Sequence, residues 1–135
     1  MNAVEYLERI KKLDVLIQGR LRDYKRWCDI ADGMGGVSTV DRVQSSRNLH
    51  RGQDAIIEYI SIEEDIERLK DERMQIIRTI ERLPIPEYSI LCKIYIEDFT
   101  MKEIAFSYER SYDWVKKKKR RALKMIQQIL DEEGM

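Results

Sequence analysis

From Ala3 to Cys28, apolar positions recur at alternating steps of four and three, through Leu7, Ile10, Ile17, Leu21 and Tyr24. Asp14 is the one charged residue on that stripe. Such alternation is a heptad seam, the pattern of a helix packed lengthwise on another helix. Tyr6, Leu13 and Leu16 widen the stripe, and Gly19 weakens the helix by about 1 kcal/mol relative to Ala without stopping it. A second seam runs through Tyr59, Ile62, Ile66, Leu69, Arg73, Ile76, Ile80 and Leu83, again with a single charged member. Ile56, Ile60, Met74 and Ile77 thicken it. Each segment makes a helix about 40 Å long at about 1.5 Å per residue, and neither can bury its stripe alone. The pattern therefore predicts an antiparallel, coiled-coil-like helical hairpin over residues 1–83. Asp14 and Arg73 either face each other across the seam as a register-setting ion pair or both sit at its wet edge.

Between the two seams lies Ala31–Gly52, with four glycines, three serines and a threonine, a composition that predicts a long loop. Arg42, Arg47 and Arg51 in it could touch phosphate, and Val40–Val43 could tuck into the hairpin. His50, the one histidine, has no partner nearby in sequence and reads as a surface residue.

Leu83-Pro84-Ile85-Pro86 ends the second long helix, because neither proline continues its hydrogen-bond ladder. Three short helices are predicted beyond it. The first, Glu87–Glu97, presents Ile90, Leu91, Ile94 and Tyr95, and Asp98-Phe99 breaks it. Thr100-Met-Lys-Glu103 is a capping box, and the helix behind it turns Met101, Ile104 and Ala105 inward. Tyr108-Glu-Arg110 makes a turn, Ser111 is a fitting N-cap, and a last helix runs from Tyr112 to about Asp131. Its inward face is Val115, Ala122, Met125 or Ile126, and Ile129, with Trp114 placed as core or packing residue. A short helix, a tight turn and a longer basic helix, with small Ala105 allowing a close crossing, is a helix-turn-helix. The whole is all-α: a hairpin with loop 31–52, serving oligomerisation or interaction, then a DNA-binding helix-turn-helix domain over 84–135.

Composition adds exclusions. Charged residues make up 37% of the 135, apolar ones 43%, and Gly and Pro only eight, which suits long solvated helices rather than a disordered chain. No apolar run nears the ~18 residues of a membrane span, so no membrane partner is expected. The start, MNAVEYLERIKK, lacks the apolar stretch of a signal peptide. Cys28 and Cys92 match no metal or redox spacing and read as free thiols of a reducing cytoplasm. With no phosphate-cradling glycine loop, nucleophile–base set or metal cluster, neither an enzyme nor a cofactor is expected.

The net charge of zero hides an asymmetry. Residues 1–100 hold 16 bases and 19 acids, whereas residues 101–124 hold nine bases and three acids. Positive charge bunched in one short segment points to a polyanion. The first exposed turn of the last helix faces base edges with Tyr112, Asp113, Lys116 and Lys117: Lys donates to guanine, Asp accepts from cytosine. Lys119, Arg120 and Lys124, further along, and Lys102 on the preceding helix reach phosphates. Arg121 could instead pair with an acid such as Glu97.

Glu103-Ile104-Ala105, Ser111, Trp114-Val115-Lys116 and Arg121-Ala122-Leu123, with Leu91, Tyr95-Ile96 and Thr100 upstream, resemble the helix-turn-helix of bacterial sigma factors, region four. The match covers roughly residues 86–130. Glu109 and Arg110 stand where that family has Gly and an aliphatic residue, so Glu109 must take a left-handed backbone or reshape the turn. One of Lys118 and Lys119 stands at a commonly apolar position, where its stem can pack while the ammonium snorkels. The whole chain, with its YLERIKKLDVLI start and the DRVQSS stretch at 41–46, resembles small phage-encoded regulators of the ArpU/RinA kind. That resemblance implies a regulator of late phage promoters in a bacterial host cytoplasm, binding double-stranded DNA, with RNA polymerase as a further contact. A homodimer through the outer hairpin residues Leu13, Leu16, Ile60 and Ile77 would supply a second reading helix. The other classes are a small-terminase-like DNA-packaging ring and a helical adaptor that binds only protein.

Overall fold

Five helices follow in chain order: α1 (Ala3–Gly35), α2 (Ser45–Glu81), α3 (Ile85–Tyr95), α4 (Met101–Tyr108) and α5 (Tyr112–Glu132). The computed structural model describes residues 2–35 and 45–134, with side chains for 2–32 and 53–134. Among these residues all regular structure is helical, and no helix is long and apolar enough to cross a membrane. Arg42 and Val40–Val43 lie outside the described residues, as do the side chains of Arg47, His50 and Arg51.

The expected loop at 31–52 is narrower than its composition suggests. Helix α1 continues through Gly33 to Gly35, and α2 already begins at Ser45. Glycine and serine are poor helix formers, but single-residue propensity is a weak prior that does not forbid a helix. Ala55, close behind this stretch, is fully buried.

Helices α1 and α2 pack as an antiparallel hairpin and contribute to two compact units, residues 1–14 with 72–135, and residues 15–71. In the first unit the hairpin register is fixed by named pairs. The Tyr6 hydroxyl and Thr79 Oγ1 hydrogen-bond at 3.0 Å, Arg9 pairs with Glu72, and Arg73 Nε donates to Asp14 Oδ1 at 2.6 Å. Asp14 and Arg73 thus do face each other, and both are half-exposed: the pair lies at the seam's wet edge, where water screens it. Leu7, Ile10, Leu13, Ile80, Leu91, Ile126 and Leu130 are all fully buried. Leu13 is therefore a core residue and not an outer one, Leu16 and Ile60 are exposed as outer residues rather than part of the buried stripes, and Ile77 is half-buried. Links across this unit include Ala3 N–H to Gln127 Oε1 at 2.8 Å, Lys11 to Asp98 at 2.7 Å and Arg82 to Glu133 at 2.7 Å.

In the second unit Ile17, Ala55, Ile62 and Ile66 are buried, and the Tyr24 and Tyr59 rings meet edge-on at 5.9 Å. Asp65 accepts from Arg68 at 2.6 Å and lies 4.0 Å from Arg20.

Candidate nucleic-acid interface

Prolines prepare the first of the three short helices. Helix α3 starts at Ile85, two residues earlier than its acidic start suggests, with Pro84 as N-cap and Pro86 in the first turn, where no intrahelical N–H is needed. Its end is wide: Glu97 N–H reaches Cys92 O at 3.1 Å, Phe99 N–H reaches Lys93 O at 2.8 Å, and Asp98 takes φ 59°. Helix α4 then begins on the capping box. Thr100 Oγ1 accepts from Glu103 N–H at 3.2 Å, and the Glu103 carboxylate accepts from Thr100 N–H at 3.4 Å.

The turn between α4 and α5 resolves the Glu109 question. Glu109 adopts φ 55° and ψ 41°, the left-handed conformation. Its N–H bonds Phe106 O at 3.2 Å, and Arg110 N–H bonds Ala105 O at 3.0 Å, closing a Schellman-type cap with a residue that carries a Cβ. A left-handed non-glycine residue costs about 1 kcal/mol. Glu109→Gly is therefore expected to stabilise the protein by about that amount, a rise in melting temperature of about 4 °C. An unchanged or lower melting temperature would show that the turn is not strained.

Ser111 Oγ accepts from Trp114 N–H at 3.1 Å and starts α5. A small core of Ile90, Ile104, Ala105 and Val115 locks α3, α4 and α5 together, with Ile94, Phe99, Met101, Tyr108 and Trp114 packed against it. Trp114 is thus a packing residue, edge-on to Tyr108 at 6.2 Å between ring centres. Tyr108 in turn hydrogen-bonds Ser89 of α3. The inward face of α5 is Val115, Ala122, Ile126 and Leu130; Leu130 takes the place expected of Ile129. Burial of the ring raises the Tyr95 hydroxyl pKa, and burial likewise pushes up the Cys92 thiol.

Six of the seven cations of α5 fall into two sets, and Lys119 belongs to neither. Lys118 and Arg121 pair with Glu87, whose carboxylate lies 3.6 Å from each and is all but inaccessible to water; Lys118 is half-buried, while Arg121 stays exposed. Lys118 also lies over the Trp114 ring at 5.9 Å, so its stem packs as a snorkelling lysine does. The acid that holds Arg121 is therefore Glu87 and not Glu97, which pairs with Lys93 at 3.6 Å. Glu87 has no helical-periodicity signal; an acid after Pro86 reads as solvent-facing.

The second set faces out. Lys116, Lys117, Arg120 and Lys124 are exposed and fall within an arc of about 100° on α5 at about 100° per residue. Tyr112 and Asp113 are exposed on the first turn of the same helix. Lys102 is exposed at the start of α4, and Lys119 is half-buried. Among the described residues none of Lys102, Lys116, Lys117, Lys119, Arg120 and Lys124 has an acidic partner within 4.0 Å. Lys116, Lys119, Arg120 and Lys124 line one groove of about 460 Å³, floored by Met101 and Leu123 and walled by Asn2, Ala3 and Val4. Lys117, Tyr112 and Asp113 stand outside it. Among the described residues no three His, Cys, Asp or Glu side chains are gathered to hold a metal ion. Compared with known proteins, the chain gives no significant match to a family model, a curated protein or a solved structure.

Proposed function

We propose that this protein is a sequence-specific, DNA-binding transcription regulator of phage or prophage origin. The observation that carries the reading is the division of charge on α5. Two of its cations neutralise Glu87, while Lys116, Lys117, Arg120 and Lys124 form an exposed strip with no acid on it but Asp113. A solubilising helix face needs no such separation of signs, and exposed helices usually interleave them. The strip belongs to the second helix of a capped helix–turn–helix, the element that such proteins lay in the major groove. Its first two turns offer both donors, Lys116 and Lys117, and an acceptor, Asp113, for base edges. The resemblance to phage regulators extends the reading to late promoters and to RNA polymerase as a further partner. Two copies on adjacent half-sites would give the specificity that one reading helix lacks.

The test is titration of a mixed-sequence duplex, followed by selection from random duplexes. Expected is binding that weakens steeply with salt, and a selected consensus that Lys116→Ala/Lys117→Ala abolishes while residual, unselective binding survives. No duplex affinity at low salt would leave the helical adaptor as the better reading, and a selected consensus unaffected by the double substitution would move the reading face elsewhere.

A further inference from the structure

We infer that the amino-terminal end of α1, residues Asn2 to Val4, forms part of the DNA-binding surface and flanks a strand of the sugar–phosphate backbone seated in the groove on α5. The inference rests on the DNA-binding reading of α5 and extends it to the opposite end of the chain. Nothing in the sequence pattern assigns these residues more than the start of a coiled-coil seam. In the structure, Ala3 N–H donates to Gln127 Oε1 at 2.8 Å, which pins the start of α1 against the carboxyl-terminal half of α5. Asn2 fixes that end further, its Oδ1 accepting from Glu5 N–H at 2.8 Å.

The groove so formed has one sign of charge. Lys116, Arg120 and Lys124 follow one another at four-residue intervals, about 6 Å apart along the helix, and Lys119 enters from the core side. No carboxylate lines it. Its floor and far wall are mostly apolar, through Met101, Leu123, Ala3 and Val4, with Asn2 and Gln127 as uncharged polar members. A row of cations beside an apolar floor complements a nucleic-acid strand, which carries its phosphates on deoxyribose. Of the four base-reading candidates, Tyr112, Asp113 and Lys117 lie outside the groove, nearer the start of α5, while Lys116 lines its edge where the two surfaces meet. Seating a strand in the groove therefore leaves that first turn free to enter the major groove. Backbone contacts fix register and base contacts specify.

Val4 is 40% exposed on the wall, so its charge can be set without disturbing the core. The test compares Val4→Lys and Val4→Glu in the full-length chain, titrated with a mixed-sequence duplex over a range of salt. Val4→Lys is expected to steepen the plot of log affinity against log salt by about 0.9, one added phosphate contact, and Val4→Glu to flatten it and weaken binding. Folding acts in the opposite sense, since an acid in the first turn of a helix is favourable and a base unfavourable. A loss of affinity in Val4→Glu accompanied by an unchanged or higher melting temperature is then an interface effect. Wild-type slopes in both variants, with Arg120→Ala still flattening the plot, would exclude the amino-terminal wall and leave the α5 reading intact. A wild-type protein with no duplex affinity at low salt would remove the DNA reading itself, and the inference with it.

Discussion

Cut away from the hairpin, residues 84–135 are expected not to fold. The isolated segment should show reduced helicity and a broad, non-cooperative melt, where the full chain melts in one steep transition for this unit. The three short helices share only a small core of their own, Ile90, Ile104, Ala105 and Val115. Ile126 and Leu130, on the later turns of α5, are fully buried, and the compact unit that contains them also contains residues 1–14 and 72–83. Leu7, Ile10 and Leu13 of α1 and Ile80 of α2 are fully buried in the same unit. Excision exposes the apolar surface that these residues cover and severs the Ala3–Gln127, Lys11–Asp98 and Arg82–Glu133 links. Losing several buried aliphatic contacts at about 1.5–3 kcal/mol per side chain exceeds the stability a segment of about fifty residues commands. Circular dichroism of the full chain and of the excised segment during heating checks this. A steep melt of residues 84–135 at the temperature of the full chain would show that the helix-turn-helix carries its own core.

The same packing explains what periodicity could and could not reveal. Ile62, Ile66, Ile76, Ile80 and Leu83 are buried at the positions the second seam assigns, because a heptad repeat records which side of a helix meets a neighbour. The capping box at Thr100 and the N-cap at Ser111 were legible too, since each is made within four residues. Leu13 was not. A stripe says how wide the buried face is but not how many elements cover it, and this end of α1 lies in the unit that includes α3 to α5. Composition also misplaces the limits of loop 31–52, because glycine and serine lower helix propensity without forbidding a helix. Within the candidate site the local sequence showed where positive charge gathers. The sorting of that charge depends on Glu87, one helix and a turn-helix away, and on an α1 terminus more than a hundred residues upstream, both invisible to spacing.

That sorting is directly testable through Glu87. Its side chain is 3% exposed and lies between Lys118, whose side chain is 27% exposed, and Arg121, at 63%. Removing the charge with Glu87→Gln keeps the shape and strands two cations beside a buried amide. Breaking a fully buried ion pair costs about 3–5 kcal/mol. Arg121 can turn to water and Lys118 can do so in part, so the expected loss is smaller, about 2 kcal/mol. Denaturant titration reads it directly, and repeating the substitution in a Lys118→Met background should recover about 1 kcal/mol of the loss, because the less exposed of the two stranded charges is gone. A Glu87→Gln protein as stable as the wild type would mean that the carboxylate is not holding α5. The DNA reading gives the same residue a second, opposite signature. With Glu87 intact, Lys118→Ala should leave the salt dependence of duplex binding unchanged, since that lysine is already neutralised, whereas Arg120→Ala should flatten it by about 0.9. Equal slopes for the two alanine variants would show that the inward and outward cations of α5 are not two sets, and would take away the observation on which the regulator reading stands.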